Sequence, residues 1–231
     1  MYVLSSILAT LLIYGLSKRL YQVTGTTFLS PLIVCPLLLI SALLLFQIPY
    51  ENYNQGGQWL TLMLQPATIA LAVPLYKYKR VVKAYLKELL LGVTGGAVAA
   101  IISSILVAGH FGLSSQLLES LAPRSITTPM AINVSEAVGG NPAITAVFVI
   151  LTGIIGILLA PPLFKLARIE NPVTKGMMLG AAAHGTGTSK AHEGGSLQGA
   201  MASLTMIFMG LITTLLAPYL VPLCLGSLTL F

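Results

Sequence analysis

The residues of this chain that are best suited to chemistry are concentrated in the stretch Gly180–Gly199. The stretch holds two histidines, several hydroxyls, a Lys/Glu pair and six glycines, and apolar segments lie on both sides of it. Polar groups at membrane depth need a protein partner or water, and glycines let the backbone approach a ligand closely. The stretch therefore predicts a substrate or ion site in an unwound helix inside a membrane protein.

Within this stretch, His184 and Thr188 are four residues apart and share a face if the segment is helical. His184 is either a ligand or coupling-ion group, or a residue that hydrogen-bonds between helices. Lys190 and Glu193, at positions i and i+3, either serve the site or neutralise each other. The substrate-binding residues predicted here are His184, Gly185, Thr186, Gly187, Thr188 and Lys190, and the coupling-ion candidates are His184 and Glu193.

Ser125–Asn141 is a second polar segment, too polar for a lipid-exposed span and too apolar for a free loop. Its hydroxyls and its helix start suit anion binding, although an ordinary helix cap would use the same residues. Glu136 is either a proton or cation site or a residue exposed at the mouth of the segment. The substrate-binding residues predicted here are Thr127, Thr128, Pro129 and Asn133.

Known enzyme chemistry does not fit the remaining motifs. His192-Glu193 begins like a zinc-protease motif, but the second histidine would fall at position 196, which is Ser196. Cys35 and Cys224 lie in apolar runs and indicate neither a disulfide framework nor a metal site. We predict no enzymatic activity, no cofactor and no metal.

Composition defines the environment of these segments. Of the 231 residues, 56% are hydrophobic and only 8% are charged, with a mean hydropathy of +0.91; soluble domains carry about 25% charged residues. The net charge of +6 comes from basic residues in short segments between apolar runs, which favours membrane topology over nucleic-acid binding. The chain is predicted to be a single all-α transmembrane domain over residues 1–231, multi-pass in a bacterial cytoplasmic membrane and surrounded by lipid.

The apolar runs predict about seven spans, and charge predicts their orientation. The basic cluster Lys77–Lys87 and the later cations Lys165–Lys175 are placed inside, and the polar loop Gln47–Gly57 outside. Ser125–Asn141 then enters and leaves on the outside as a re-entrant or broken helix. The predicted spans are Tyr2–Leu16, Phe28–Phe46, Gln58–Tyr76, Leu89–Val107, Ala143–Leu163, an outward-running Gly180 segment and Gln198–Leu220.

This order predicts an inverted repeat, with residues 28–107 as its first copy and 143–220 as its second. The middle member of each copy is discontinuous, at Gln65-Pro66 and at His184–Glu193, as in many secondary transporters. Gln65 is predicted to bind substrate, although satisfying the freed backbone is its alternative role. Similarity between the short motifs beginning at Pro66 and Pro129 would pair the segments differently, so the repeat register stays open.

Several long motifs resemble the LrgB/CidB family. They are Leu64-Gln-Pro-Ala-Thr-Ile-Ala-Leu-Ala-Val-Pro-Leu-Tyr, Ser125-Ile-Thr-Thr-Pro-Met-Ala-Ile, Ser135-Glu-Ala-Val-Gly-Gly-Asn-Pro-Ala-Ile-Thr-Ala-Val, Lys175-Gly-Met-Met-Leu-Gly-Ala-Ala-Ala-His-Gly-Thr-Gly-Thr and Ala217-Pro. The resemblance covers nearly the whole chain. It departs after His184, where Thr188-Ser-Lys-Ala-His stands in place of a frequent Thr-Ala-Arg-Ala run; Lys190 keeps the charge but lacks the planar fork of arginine.

The resemblance implies two classes of function. Some relatives are transporters of glycolate, glycerate or pyruvate, which implies a secondary carrier for small monocarboxylates. Others are holin-like or antiholin-like modulators of murein hydrolase activity and cell lysis, acting with a small LrgA/CidA-type membrane partner. Polar groups confined to two buried segments favour the carrier, because an oligomeric pore needs a polar stripe along a whole helix. A homodimer is also expected, to brace the broken helices.

Overall fold

The computed structural model describes residues 2–63, 66, 69–70 and 72–228, and the chain forms two compact units, residues 1–72 and 73–231. Every regular element in these ranges is a helix, as predicted. Four of the described helices are long and apolar enough to cross a membrane: Tyr2–Thr24, Leu86–His110, Pro142–Leu166 and Ser196–Ser227. The chain is a helical membrane protein, and the predicted total of about seven spans stays a prediction.

The first unit consists of α1 (Tyr2–Thr24), α2 (Pro31–Leu45) and α3 (Tyr50–Leu62), and α1 packs against both of the others. The predicted polar loop Gln47–Gly57 is wrong, because the chain is helical from Tyr50. Two contacts hold that helix against α1: the Tyr53 hydroxyl lies 2.9 Å from Thr10 Oγ1, and Gly56 lies against the Val3 backbone.

The second unit contains the residues predicted to form the site, apart from Gln65, which lies outside the described residues. After the short helices α4 (Ala72–Lys77) and α5 (Lys79–Ala84), its elements are α6 (Leu86–His110), α7 (Ser115–Leu121), α8 (Thr128–Val138), α9 (Pro142–Leu166), α10 (Pro172–Glu193) and α11 (Ser196–Leu228).

The helices α6 and α11 run parallel and α9 runs antiparallel to them. Gly92 of α6 lines a cleft with Thr205 of α11, and Gly96, one turn later, faces Met209, also one turn later. The end of α9 meets the start of α10, where the Phe164 ring lies 5.8 Å from Lys175 Nζ, and the adjacent Gly176 packs against Gln198 at the start of α11. One end of the unit therefore carries Lys87, Lys165 and Lys175. We call it the basic end, and its predicted location in the cytoplasm stays a prediction.

The course of α10 differs from the predicted outward crossing. Ala183 and His184 leave helical geometry, with φ of −128° and 38°, and the chain reverses there. The two halves then lie side by side: Leu179 and Ala191 share one buried cluster, and a Cβ at Gly187 would collide with the Leu179 carbonyl. The predicted break is confirmed, but the predicted crossing is wrong, because the segment is a helical hairpin that returns to the basic end.

This reversal also changes the direction of the last helix. Gly180 in the first half of α10 packs against Ala202, and Gly199 packs against His192 of the second half. Consequently α11 starts at the basic end and runs toward the opposite one, not back to the cytoplasm as predicted for Gln198–Leu220.

A second hairpin, α7–α8, enters the unit from the opposite end. Gly140, just after α8, lies against the backbone of Ser120 in α7, while Met130 at the start of α8 lies against Gly210 of α11. The 11 residues of α8 reach about 16 Å, which is too short to cross a hydrocarbon core of ~30 Å. Ser125–Asn141 thus begins in the interior of the unit and runs back to the end opposite the basic end.

The second unit contains the same arrangement twice, a long helix followed by a hairpin, and the predicted repeat does not describe it. Each of the antiparallel helices α6 and α9 is followed by a hairpin, and the two hairpins enter from opposite ends. The predicted repeat boundaries, 28–107 and 143–220, stay a prediction.

Candidate functional site

The tip of the α10 hairpin is built around His184. Its side chain is buried at 5% exposure, and its Nε2 lies 3.0 Å from the carbonyl oxygen of Val149 in α9. Because a carbonyl oxygen only accepts hydrogen bonds, Nε2 is the donor in this pair. The hydrogen bond fixes the tip to α9 and leaves Nδ1 as the other polar atom of the ring.

Glycines in α9 let the tip approach that helix closely. A Cβ at Gly153 would lie 2.6 Å from Thr186 Oγ1 and 3.0 Å from His184 Cε1, and one at Gly156 would lie 2.6 Å from Ala183 Cβ. Distances below about 3.0 Å are not tolerated by real side chains. The absence of side chains at Gly153 and Gly156 thus allows the hairpin tip to pack closely against the middle of α9.

The second half of α10 begins with the small residues predicted to bind substrate. Gly185, Thr186, Gly187 and Thr188 form its first turn, where backbone N–H groups have no partner within the helix. Thr188 is buried with its Oγ1 3.6 Å from Met206 Sδ, a weak contact. The positive end of this half-helix is therefore at the tip, in the interior of the unit.

The tip of the α7–α8 hairpin likewise places the positive N-terminal end of a helix in the interior of the unit. Thr127 is the residue before α8 and has the extended backbone of a cap, but its side chain makes no capping hydrogen bond. Thr127 and Thr128 are half-buried and Pro129 is exposed. The prediction of a helix start at these residues is correct, and the Thr127 hydroxyl is not used as an ordinary cap.

A hydroxyl network ties this outer hairpin to α9. Thr145 Oγ1 lies 2.7 Å from Ser135 Oγ and 3.0 Å from the Ser120 carbonyl oxygen, and Ser120 Oγ accepts from the Asn141 N–H at 2.7 Å. Ser120, Ser135 and Thr145 are each 0% exposed. The outer hairpin is thus fastened by buried hydrogen bonds, whereas the described side-chain hydrogen bonds near the tip of the α10 hairpin are those of His184 and Thr188.

A cleft of about 460 Å³ brings the tip regions of the two hairpins together. Arg124, just before the α8 tip, lines it together with Ala182 of the α10 tip and with Thr152 and Gly156 of α9. Arg124 was not among the site residues predicted from the sequence. The available signal was that Arg124 is the one cation between Lys87 and Lys165.

The remaining predicted residues lie away from the tips. Lys190 Nζ and Glu193 Oε2 form a 2.7 Å ion pair and line a separate cleft of about 370 Å³ with Phe164 and Gln198. Lys190 is six residues from His184, or about 9 Å along the half-helix.

Asn133 and Glu136 are exposed on α8. Within the described part of the chain, no group of three or more His, Cys, Asp or Glu residues is arranged to hold a metal ion.

Comparison with known proteins identifies a family that covers almost the whole chain. The family model described as the LrgB-like family matches residues 10–223. The protein YwbG of Bacillus subtilis is 48% identical over 93% of this chain and 96% of its own length. The antiholin-like protein LrgB of Bacillus cereus is 35% identical over 94% of each chain. No solved structure matches this chain significantly.

The family match covers both units almost completely, including both hairpins and every described residue of the candidate site. The chain therefore belongs to the LrgB-like family of membrane proteins.

Proposed function

We propose that this protein is a secondary carrier for small monocarboxylates of the pyruvate, glycolate or glycerate type. One observation carries the proposal: two helical hairpins enter the second unit from opposite ends, and their tip regions line one cleft halfway along α9. Broken helices that meet near the bilayer midplane are a recurring design of secondary transporters.

The chemistry at the tips suits an anion. Two helices, α8 and the second half of α10, point their positive N-terminal ends into the interior, where threonine hydroxyls can donate. The predicted substrate-binding residues divide accordingly. Thr127, Thr128 and His184–Thr188 belong to the tips, while Lys190 lies nearer the basic end, on the path of a substrate leaving toward the cytoplasm.

Coupling to an ion gradient is part of the same proposal. Of the three predicted coupling residues, Glu136 is exposed on α8 and Glu193 is half-exposed and paired with Lys190. His184 is the one at a hairpin tip, with Nδ1 available beyond its bond to Val149. We therefore assign coupling to His184.

A second function, modulation of murein hydrolases and lysis, is favoured by the relatives named antiholin-like protein LrgB. A pore-forming version would need a polar stripe along a full helix. In the long helix α11, the polar side chains Ser203, Thr205 and Thr213 are instead buried against the unit, which favours the carrier.

Assembly follows from the same reasoning. A hairpin that moves during transport needs a fixed surface to move against, which a second copy of this chain or a small LrgA/CidA-type partner would supply. Many apolar side chains of α1 are exposed, among them Leu4 and Leu12, each at 66%. Mass measurement of the protein in mild detergent tests this, and a monomer that still transports would refute it.

The test of the proposed function is uptake by purified protein in proteoliposomes. A panel of labelled two- and three-carbon acids should include at least one that enters saturably, and empty liposomes should take up none of it. Absence of uptake for every acid, under both proton and sodium gradients, would refute the carrier proposal and favour the lysis-related function.

A further inference from the structure

Arg124 is the cation that lies where the two hairpin tips come together. It is half-buried in the connection between α7 and α8, and its backbone N–H donates to the Leu121 carbonyl at 3.2 Å. The cleft that it lines reaches Thr152 and Gly156, the eleventh and fifteenth of the 25 residues of α9. The guanidinium therefore lies halfway along a helix long enough to cross the membrane.

No partner balances this charge within the described part of the chain. The ion pair found there joins Lys190 to Glu193, and Lys175 lies over the Phe164 ring. Arg124 has neither an ion pair nor a side-chain hydrogen bond with any described residue. An ionised group at membrane depth is costly and is normally paired or functional. An anion that enters the cleft would supply the missing charge.

We propose that Arg124 binds the carboxylate of the transported acid, a role that rests on the proposed carrier function. The planar guanidinium donates two parallel hydrogen bonds to a carboxylate, which the ammonium of Lys190 cannot do. Thr127, the residue before α8, follows Arg124 by three positions, so the positive N-terminal end of α8 lies close to Arg124 along the chain. Lys190, predicted from sequence as the carboxylate ligand, is engaged with Glu193 in the other cleft.

The lining of the cleft also selects the class of acid. Besides Arg124 and Thr152, the cleft is lined by aliphatic and aromatic side chains, including Phe148 and Ile155. A monocarboxylate with a short apolar or hydroxylated tail fits this environment. A dicarboxylate would bring a second charge that no lining residue neutralises, and burying an unpaired charge is strongly unfavourable. Arg124 thus makes the site selective for monocarboxylates.

The experiment compares the full-length wild type with Arg124→Lys, Arg124→Gln and the control Arg168→Gln in proteoliposomes. Arg168 is an exposed arginine at the basic end, outside the cleft with Arg124. The acid is whichever monocarboxylate the wild type transports, and its uncharged amide is used as a competitor. Elution volume and melting temperature in detergent establish that each variant is folded.

Loss of a charge-assisted contact should raise the KM of Arg124→Gln for the acid by about tenfold to hundredfold. Arg124→Lys should fall between this variant and the wild type, and Arg168→Gln should match the wild type. Inhibition by the amide should be unchanged in Arg124→Gln, because the amide carries no charge for the guanidinium to bind. A short dicarboxylate should inhibit the wild type weakly.

Two results would overturn the role of Arg124 while leaving the carrier proposal intact. One is an unchanged KM for the acid in Arg124→Gln; the other is an equal loss of acid and amide binding, which would indicate a structural role. A wild type that transports no carboxylate would instead refute the proposed function itself.

Discussion

His184 Nε2 lies 3.0 Å from the carbonyl oxygen of Val149, and this hydrogen bond joins the tip of the α10 hairpin to the middle of α9. The residue is buried in a backbone conformation, φ 38°, that residues other than glycine seldom adopt. Strain of this kind persists where the surrounding structure holds it, and it is concentrated at functional sites. In the proposed carrier, the imidazole would link binding of substrate to the position of the hairpin.

Substitution of His184 should separate the mechanical role of this side chain from its role in coupling. His184→Gln retains a side-chain donor toward Val149 but cannot take up a proton in the transport cycle. We expect an inward proton gradient to accelerate uptake by the wild type and to have no effect on His184→Gln, although this variant still exchanges substrate at equal pH. Uptake by His184→Gln that still follows the proton gradient would exclude His184 from coupling.

Gly153 tests the close seating of the hairpin tip on α9. Its substitution by alanine would place a methyl group 2.6 Å from Thr186 Oγ1, a clash that costs about 1 to 3 kcal/mol in comparable packed sites. We expect Gly153→Ala to reduce the transport rate by roughly fivefold to 150-fold, since each 1.4 kcal/mol corresponds to about a factor of ten.

The matched control is Gly92→Ala in α6, where a Cβ would meet nothing within 4 Å. Initial uptake rates at saturating substrate are the measurement. Equal rates for Gly153→Ala and Gly92→Ala would show that the tip has no close contact with α9 during transport.

The hairpin course of α10 makes a prediction about topology. Single cysteines at Glu170 and Ser196, in a protein whose Cys35 and Cys224 are replaced by serine, should be accessible from one and the same side of the membrane. Ser115→Cys at the start of α7 should be accessible from the other side. By the positive-inside rule, Glu170→Cys and Ser196→Cys should react with an impermeant maleimide only in inverted vesicles.

Labelling of Glu170→Cys and Ser196→Cys from opposite sides would mean that α10 crosses the membrane. Labelling of both from outside would keep the hairpin and reverse the orientation assigned to the basic end.

The buried hydroxyl network makes a prediction about stability. Thr145→Val keeps the shape of the side chain but removes the oxygen that lies 2.7 Å from Ser135 Oγ. The variant leaves a buried hydroxyl without a partner, at a cost of about 1 to 3 kcal/mol. We expect a lower melting temperature in detergent for Thr145→Val, and a value near that of the wild type for Thr145→Ser. A melting temperature unchanged in Thr145→Val would show that the network does not fasten the outer hairpin.

The sequence was sufficient to predict a helical membrane protein and to single out the two polar segments, Gly180–Gly199 and Ser125–Asn141. The glycines and hydroxyls around His184 predicted a broken helix, and the break is found at Ala183–His184. The sharp reversal was not predictable, because whether two half-helices continue or fold back depends on packing between residues far apart in sequence. Leu179 meeting Ala191 is such a contact, and no local pattern encodes it.

Two further differences have the same origin. Tyr50–Leu62 was predicted to begin as a loop because of its polarity, but contacts of Tyr53 and Gly56 with α1 stabilise a helix there. Arg124 was not predicted to belong to the site. Its position beside Ala182 depends on how the two hairpins meet, which only the tertiary structure reveals.

The measurement that most directly tests the carrier account is counterflow in proteoliposomes loaded with unlabelled acid. A carrier exposes one site alternately to each side, so external labelled acid should accumulate transiently above its equilibrium level. A dye larger than the substrate, trapped in the same vesicles, should stay inside. Flux of the acid without saturation or transient accumulation, together with escape of the dye, would contradict the account and identify a pore.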